Sequence, residues 1–372
     1  MNEKLELQRI AQSHDVVLYQ VIPDEGMKTL IASTPQVSQL LNSPEVCGIN
    51  FQKLLSAALY NILNHLYKMD HSQLAKIMKS SPIDVLYILR GGLNFDLHRN
   101  VAEVTLTLPE VTFLSSQRVA SGNGFEIGES TYRKWSIQDE ALLCIGDICA
   151  TATTLKNVIE EAIIRYGNER KKPSGLLIFT IGTPYVREML IAYRQRLKDA
   201  WSPNFQGITV IYLEEIFSLY KGEPLLYNTH LPFTDFFRKD FPSSIEFEDV
   251  SLSKPVCFLE RCAIYDGGSR SFEPSVYLSH LYNYWASLKQ NATFQVIQLL
   301  ELKSNLVDYQ LGFEDWLRKR PWWNRMDKDK LHALHEKGQA ALKALTSQSL
   351  SEICEGRLQM IKVKKDAHSQ NN

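Results

Sequence analysis

The 372-residue sequence lacks the patterns that mark several protein classes. Its six cysteines include no CxxC pair and its nine histidines form no HxH or HExxH spacing, so we expect no structural zinc site. No apolar run approaches the roughly 18 residues that span a membrane, and the first twenty residues contain no apolar core typical of a signal peptide. We therefore expect a cytoplasmic protein whose cysteines stay reduced and pack as small hydrophobic residues.

A dominant charge of one sign is also missing. The 41 basic and 42 acidic residues leave a formal net charge of −1 and a pI near 6.8, so no global basic field favours non-specific nucleic-acid binding. Internal repeats and low-complexity segments are absent as well. The composition, with 44% hydrophobic and 22% charged residues, is that of a globular protein with about two domains.

Apolar segments alternate with helical patterns over residues 50 to about 215. The predicted strands are 83–89, 111–117, 141–146, 174–182 and 207–213, and the predicted helices are 51–69, 153–167 and 185–200. Nearly continuous apolar strands separated by helices predict an α/β fold with a Rossmann-like parallel sheet and helices on both faces. Ligands of such sheets bind beyond the carboxyl ends of the strands.

The flanking segments differ from this pattern. Residues 1–48 form an N-terminal lead-in, with possible strands at 14–22 and 27–33 and a short helix at 34–42. Residues 49–235 form the predicted α/β domain. From residue 236 the chain has helical patterns without strand alternation, which predicts a mainly helical C-terminal domain over residues 236–372.

The stretch ALLCIGDICATATTLKNVIEEAI, residues 141–163, joins a buried strand to a helix through a hydroxyl-rich turn. If Thr151, Thr153 and Thr154 lie at the helix start, the unpaired N–H groups there form a phosphate cradle. Asp147 would accept hydrogen bonds from the hydroxyls of the sugar that carries the phosphate. A threonine-capped helix that binds no ligand would explain the same residues.

The segment LLCIGDICATATTL resembles the phosphoribosyl-pyrophosphate (PRPP) binding motif of the type I phosphoribosyltransferases. The resemblance covers about residues 50–215. It implies that Asp147 is a catalytic acid that holds the ribose hydroxyls. It also implies that the 5′-phosphate is bound by Thr151, Ala152, Thr153 and Thr154.

Two further segments are similar to parts of that family. VLYILRGGLNF resembles its pyrophosphate loop, which implies that Arg90, Gly91 and Gly92 bind pyrophosphate and that the Arg90–Gly91 peptide is cis. LSSQRVASGNGFEIGESTYRKW is similar in location and composition to its mobile lid, whose candidate cations here are Arg118, Arg133 and Lys134. We select Arg133 and Lys134 as catalytic cations that close over the pyrophosphate.

The motif departs from the family at two positions. Gly146 stands where the family usually has a first acid, which removes one acceptor for a ribose hydroxyl. Ala152 stands where most members have glycine, and a methyl group there obstructs the phosphate and costs about 1 kcal/mol or more if the backbone is left-handed. Ala150 lies where some purine-specific members carry a catalytic acid, so a carboxylate base at this position is excluded.

The resemblance implies a phosphoribosyltransferase that uses PRPP and Mg²⁺, transfers the phosphoribosyl group to a nitrogen acceptor and releases pyrophosphate. Mg²⁺ would be held mainly by oxygens of the substrate, with Asp147 as an indirect protein ligand. Family members are commonly dimers, which implies a possible homodimer.

Two alternatives belong to other functional classes. One is a catalytically degenerate regulatory protein that binds PRPP or a nucleotide, which Gly146 and Ala152 favour. The other is a factor that binds nucleic acid or protein through its helical C-terminal region. There, KRPWWNRMDKDK, residues 319–330, interleaves basic residues with Trp322 and Trp323. A helix corner with both tryptophans packed inward would explain that cluster without a ligand.

Overall fold

A computed structural model describes residues 5–115, 118–121, 124–127, 132–220, 235–261, 267–290 and 295–370. Of residues 118–121, 124–127 and 369–370 the backbone alone is described. The chain divides into two compact units. We call Arg9–Gln36 with Gln52–Leu213 the sheet unit, and Met1–Gln8, Val37–Phe51 and Glu214–Asn372 the helical unit.

The strands alternate with helices through the sheet unit and become rare in the helical unit. The strands are β1 (Glu6–Gln12), β2 (Val17–Ile22), β3 (Lys28–Ser33), β4 (Ile83–Leu89), β5 (Glu110–Ser115), β6 (Arg118–Ser121), β7 (Gly124–Ile127), β8 (Arg133–Lys134), β9 (Leu142–Cys149), β10 (Gly175–Gly182), β11 (Ile208–Ile216), β12 (Ser218–Leu219) and β13 (Phe236–Phe237).

The helices include the three predicted between the core strands. They are α1 (Pro35–Asn42), α2 (Ile49–Lys68), α3 (Gln73–Ser80), α4 (Leu97–Thr105), α5 (Thr153–Asn168), α6 (Pro184–Trp201), α7 (Ile245–Leu252), α8 (Gly267–Phe272), α9 (Pro274–Gln290), α10 (Val296–Lys303), α11 (Phe313–Arg318), α12 (Lys328–Thr346) and α13 (Leu350–Gln370). Short 3₁₀ helices lie at Gly91–Phe95, Pro255–Leu259, Leu306–Gln310 and Pro321–Trp323.

A large, mostly parallel sheet forms the centre of the α/β architecture. Among the described residues it has nine strands in the order β1-β2-β3-β11-β10-β9-β4-β5-β8. The neighbours β3 and β11, β9 and β10, β4 and β9, and β4 and β5 are parallel, whereas β2 and β8 pair antiparallel with β3 and β5. The fold is therefore α/β and compatible with a Rossmann-like arrangement. Residues of the predicted lead-in contribute three of its strands.

Helices cover both faces of this sheet. On one face, Tyr166 of α5 donates its hydroxyl to Asp84 of β4, and burial raises the pKa of this carboxyl. On the opposite face, Ile77 of α3 packs over Gly175 of β10. A Cβ added at Gly175 would lie 3.9 Å from Ile77 Cδ1 and 3.2 Å from Leu142 Cδ1. Strands that are buried on both faces explain the near-continuous apolar runs of the sequence.

A buried charge cluster stabilises the helical unit. Arg238 Nε donates to Glu215 Oε2 at 3.2 Å and its Nη2 to Glu248 Oε2 at 3.4 Å. Its guanidinium lies 4.1 Å from the ring centroid of Phe247 and 4.5 Å from that of Phe258. Burial raises the pKa of Glu215 to about 8, because one arginine offsets only part of the cost of burying two carboxylates.

The tryptophans of the basic segment belong to the core of the helical unit. Trp322 and Trp323 are 5% and 1% exposed. Trp323 Nε1 donates to the carbonyl of Ser243 at 2.9 Å, and its ring centroid lies 5.6 Å from that of Trp316. These rings therefore present no open surface on which bases could stack, and inward packing is the explanation that the structure supports.

The cysteines behave as small hydrophobic residues. Cys47, Cys144, Cys149 and Cys354 are buried, Cys257 is half-buried, and all five are free thiols. Cys262 lies outside the described residues. Within the described ranges, every helix is too short or too polar to cross a membrane.

A substitution at Gly338 of α12 tests how tightly this helix packs against Tyr309. A Cβ at this position would lie 2.0 Å from Tyr309 Cδ1 and 2.1 Å from Cε1. We expect Gly338→Ala to lower the free energy of unfolding by about 1–3 kcal/mol, because the Tyr309 ring must shift. Urea unfolding followed by fluorescence measures the change.

Gly356 of α13 is the matched control, since a Cβ there meets no atom within 4 Å. Gly356→Ala should raise the free energy of unfolding by about 0.5–1 kcal/mol through helix propensity. Equal effects of the two substitutions would contradict the close contact at Gly338.

Candidate functional site

Asp147 lies inside a strand. The sequence predicted that the strand ends at residue 146, but β9 continues to Cys149, so Asp147 is part of the ladder and pairs in register with Thr180. The Asp147 side chain is 9% exposed, and Cys149 Sγ donates to its Oδ2 at 3.6 Å. Strand β9 therefore holds the Asp147 carboxylate in a defined position near the carboxyl end of the strand.

The loop after β4 folds back against this part of β9. A Cβ at Gly91 would lie 3.6 Å from Asp147 Oδ1, and a Cβ at Gly92 would lie 3.0 Å from the carbonyl oxygen of Gly146. The predicted pyrophosphate-binding glycines and the predicted catalytic acid are thus neighbours. Arg90, at the start of the loop, is exposed.

The cis peptide expected at Arg90–Gly91 is one residue displaced. Among the described residues, the non-proline cis bond is Leu89–Arg90. The bond lies where β4 ends and the 3₁₀ helix Gly91–Phe95 begins. The general location of the prediction was correct, and its residue assignment was wrong.

Phe95 explains why residue 146 is glycine. A Cβ at Gly146 would lie 2.6–2.8 Å from Cβ, Cγ and Cδ1 of Phe95. Non-bonded carbon atoms do not come this close, so the two side chains would clash. Phe95 is fully buried. No acidic side chain fits at residue 146 while Phe95 keeps this position, so the site has one strand-borne carboxylate there instead of two.

The turn after β9 has an uncommon backbone. Ala152 is the N-cap residue of α5 with φ 57° and ψ 6°, the left-handed conformation in which its methyl group costs about 1 kcal/mol or more. Thr151 Oγ1 and Thr153 Oγ1 are 2.9 Å apart and hydrogen-bond to each other. The residue at the cap position is alanine, so the simple threonine-capped helix start is not what the structure has.

Thr183, which the sequence reasoning did not select, fixes this turn from the neighbouring strand. Its backbone N–H donates to the carbonyl of Cys149 at 3.1 Å, and its hydroxyl donates to the carbonyl of Ala150. Thr183 follows β10 directly and is fully buried. In the sequence, a hydroxyl residue directly after the adjacent predicted strand was the signal that could have identified Thr183.

Arg133 is engaged away from the turn. Its Nε and Nη2 donate to the two carboxylate oxygens of Glu161 at 2.8 and 3.0 Å, and these hydrogen bonds raise the pKa of Arg133. Glu161 is eight residues past the first residue of α5, about 12 Å along the helix axis. Lys134 is exposed and pairs in register with Phe113 of β5. The side chain of Arg118 lies outside the described residues.

A separate cavity of about 370 Å³ lies at the opposite edge of the sheet. It is lined at the amino ends of strands by Met27, Leu142, Leu176, Ile208 and Thr209, among others. None of the predicted site residues contributes to its walls. This cavity is therefore separate from the predicted site.

The number of carboxylates in the site limits how a metal ion could be bound. In the described part of the chain, no group of three or more His, Cys, Asp or Glu side chains is arranged to hold a metal ion. Asp147 alone, with little exposure and glycine backbone beside it, fits a Mg²⁺ that takes most of its oxygen ligands from a substrate and water.

No protein-family model matches the chain, and no curated protein matches it. Among solved structures, the chain is similar to a hypoxanthine phosphoribosyltransferase from Staphylococcus aureus. The sequence identity is 20% and the TM-score 0.25, over 42% of this chain and 77% of that chain. A similarity of this size establishes neither a family nor an activity.

Replacement of Ala152 by glycine tests the left-handed turn. Ala152→Gly removes a penalty of about 1–2 kcal/mol and loses a buried methyl group worth about 0.8 kcal/mol, so the free energy of unfolding should stay constant or rise slightly. Ala150→Gly is the control, because the φ angle of residue 150 is not positive. It should lower the free energy of unfolding by about 1 kcal/mol.

Thermal and urea unfolding of both variants measure the contrast. If Ala152→Gly destabilises the protein as much as Ala150→Gly does, residue 152 is not held in the left-handed conformation.

Proposed function

We propose that the sheet unit binds PRPP and transfers its phosphoribosyl group to a nitrogen acceptor with release of pyrophosphate. The observation that carries the proposal is the meeting of three features at the carboxyl end of β9. These are the glycine loop at residues 91–92, the carboxylate of Asp147 and the start of α5 after the turn 151–154. Each suits one part of a phosphorylated sugar.

The phosphate part would bind at the start of α5. The first-turn N–H groups have no intrahelical acceptor, and Ala152 offers no side-chain oxygen to cap them. The hydroxyls of Thr151, Thr153 and Thr154 are short donors at the same place. A 5′-phosphate would accept hydrogen bonds from both kinds of group and would be stabilised by the helix dipole.

The pyrophosphate part would bind along the loop after β4. The absence of side chains at Gly91 and Gly92 lets a polyanion approach the backbone N–H groups, and Arg90 is exposed beside them. The carboxylate of Asp147 would accept hydrogen bonds from ribose hydroxyls and orient C1 toward the acceptor. When bound, Mg²⁺ would neutralise part of the charge of the leaving group, and Asp147 would be its indirect protein ligand.

A regulatory protein that binds PRPP or a nucleotide without catalysis is the second candidate. The contact between Phe95 and Gly146 supports it, because that contact leaves one carboxylate where two would grip the ribose. Ala152 also supports it, because a methyl group stands at the position where most members of the similar family have glycine and would obstruct close approach of the phosphate. Release of pyrophosphate on incubation with PRPP and a panel of nucleobases separates the enzyme from the binding protein. Homodimer formation remains a prediction for either function.

Asp147→Asn tests the binding site in both cases. Isothermal titration with PRPP and Mg²⁺ should give micromolar affinity for the natural chain and at least about tenfold weaker binding for Asp147→Asn, because a charge-assisted hydrogen bond is lost. Asp199→Asn, an exposed position on α6, is the matched control and should bind normally. Absence of binding by the natural chain would overturn the proposed function.

A cycle of substitutions tests whether Arg133 acts on the pyrophosphate. If Arg133 leaves Glu161 when PRPP binds, Glu161→Gln should strengthen binding up to about fivefold, since a surface pair of this kind is worth up to about 1 kcal/mol. Arg133→Gln should weaken binding, and the double variant should match Arg133→Gln alone.

Equal PRPP affinities of all three variants and the natural chain would show that Arg133 is a structural partner of α5 only. Glu160→Gln, on the same helix but paired with Arg196, is the control for a general change of helix charge.

A further inference from the structure

Thr180 is a buried residue of β10 that the proposed mechanism does not yet use. It pairs in register with Asp147 on the parallel strand β9. Registered residues of neighbouring strands point to the same face of a sheet, and their backbones lie about 4.8 Å apart. The Thr180 side chain therefore lies on the same face of the sheet as the Asp147 side chain, on the adjacent strand.

The hydroxyl of Thr180 makes no hydrogen bond with any residue that the structure describes, although the side chain is fully buried. A buried hydroxyl without a partner is unfavourable, and most such groups in native proteins are satisfied. The buried hydroxyl of Thr112 on β5, by contrast, donates to the carbonyl of Ser136 at 3.0 Å.

Two neighbours of the Asp147 carboxylate are known. Its Oδ2 accepts from the Cys149 thiol at the long distance of 3.6 Å, and its Oδ1 faces Gly91, which has no side chain. The contact of Phe95 with Gly146 removes a second carboxylate from the site, so the orientation of this single carboxylate determines how the sugar is held.

We propose that Thr180 is a positioning residue for Asp147: its hydroxyl donates to the carboxylate when a phosphorylated sugar is bound and holds it in the orientation that accepts the sugar hydroxyls. Because Thr180 is fully buried, it acts through Asp147 and does not touch the ligand. This inference rests on the proposed function of the site.

Two substitutions of opposite kind test the hydroxyl. Thr180→Val keeps the shape and removes the hydroxyl, whereas Thr180→Ser keeps the hydroxyl and removes a methyl group. In titrations with PRPP and Mg²⁺, Thr180→Val should bind about tenfold more weakly than the natural chain, and Thr180→Ser within about twofold of it. A residue that only fills space would give the reverse order.

Ser174→Ala is the matched control. Ser174 precedes β10 at the opposite end, is 3% exposed, and its Oγ likewise has no partner among the described residues. Ser174→Ala should leave the affinity unchanged. Circular dichroism and melting temperature establish that each variant is folded.

The outcomes separate the inference from the function on which it rests. Normal binding by Thr180→Val, or equally weak binding by Thr180→Ser and Thr180→Val, overturns the positioning role while the PRPP site stands. No binding by the natural chain overturns both. Weak binding by Thr180→Val that Thr180→Ser restores supports both.

Discussion

The close approach of the segment 91–95 to strand β9 is the constraint on which the candidate site depends. Phe95 occupies the space that a side chain at Gly146 would need, and Gly92 lies against the Gly146 carbonyl. Only because residue 146 has no side chain can the loop come near enough for Gly91 to face Asp147. Three glycines and one buried ring thus decide how closely the loop approaches β9 and whether residue 146 can carry a carboxylate.

The loop itself is held from the other side by polar contacts. Asp96, in a left-handed conformation that ends the 3₁₀ helix, accepts a hydrogen bond from Ser56 Oγ at 2.8 Å. The backbone N–H of His98 donates to the Tyr87 hydroxyl at 3.0 Å. The glycine loop is therefore fixed before any ligand binds, which reduces the ordering cost that binding must overcome.

The helical unit is built on a different principle, since charged side chains are enclosed in its core. Arg320 is 1% exposed and lies 5.0 Å from the ring centroids of Tyr309 and Trp316. Lys303, 3% exposed, donates to the Tyr284 hydroxyl at 2.8 Å. Buried cations must be paired or bonded, so these residues constrain how the surrounding helices meet. Sequence patterns of apolar residues describe such a core only in part.

The sequence by itself determined the positions of the five apolar strands between residues 83 and 213 and of helices α5 and α6, because their apolar runs and turn residues are local signals, but it did not predict α4. It also indicated Asp147 and the threonine turn. Tertiary structure decided that residues 6–33 supply strands to the sheet, that Phe95 excludes a side chain at Gly146, and that Arg133 pairs with Glu161. These facts depend on contacts between residues distant in sequence, which no local pattern of residue types specifies.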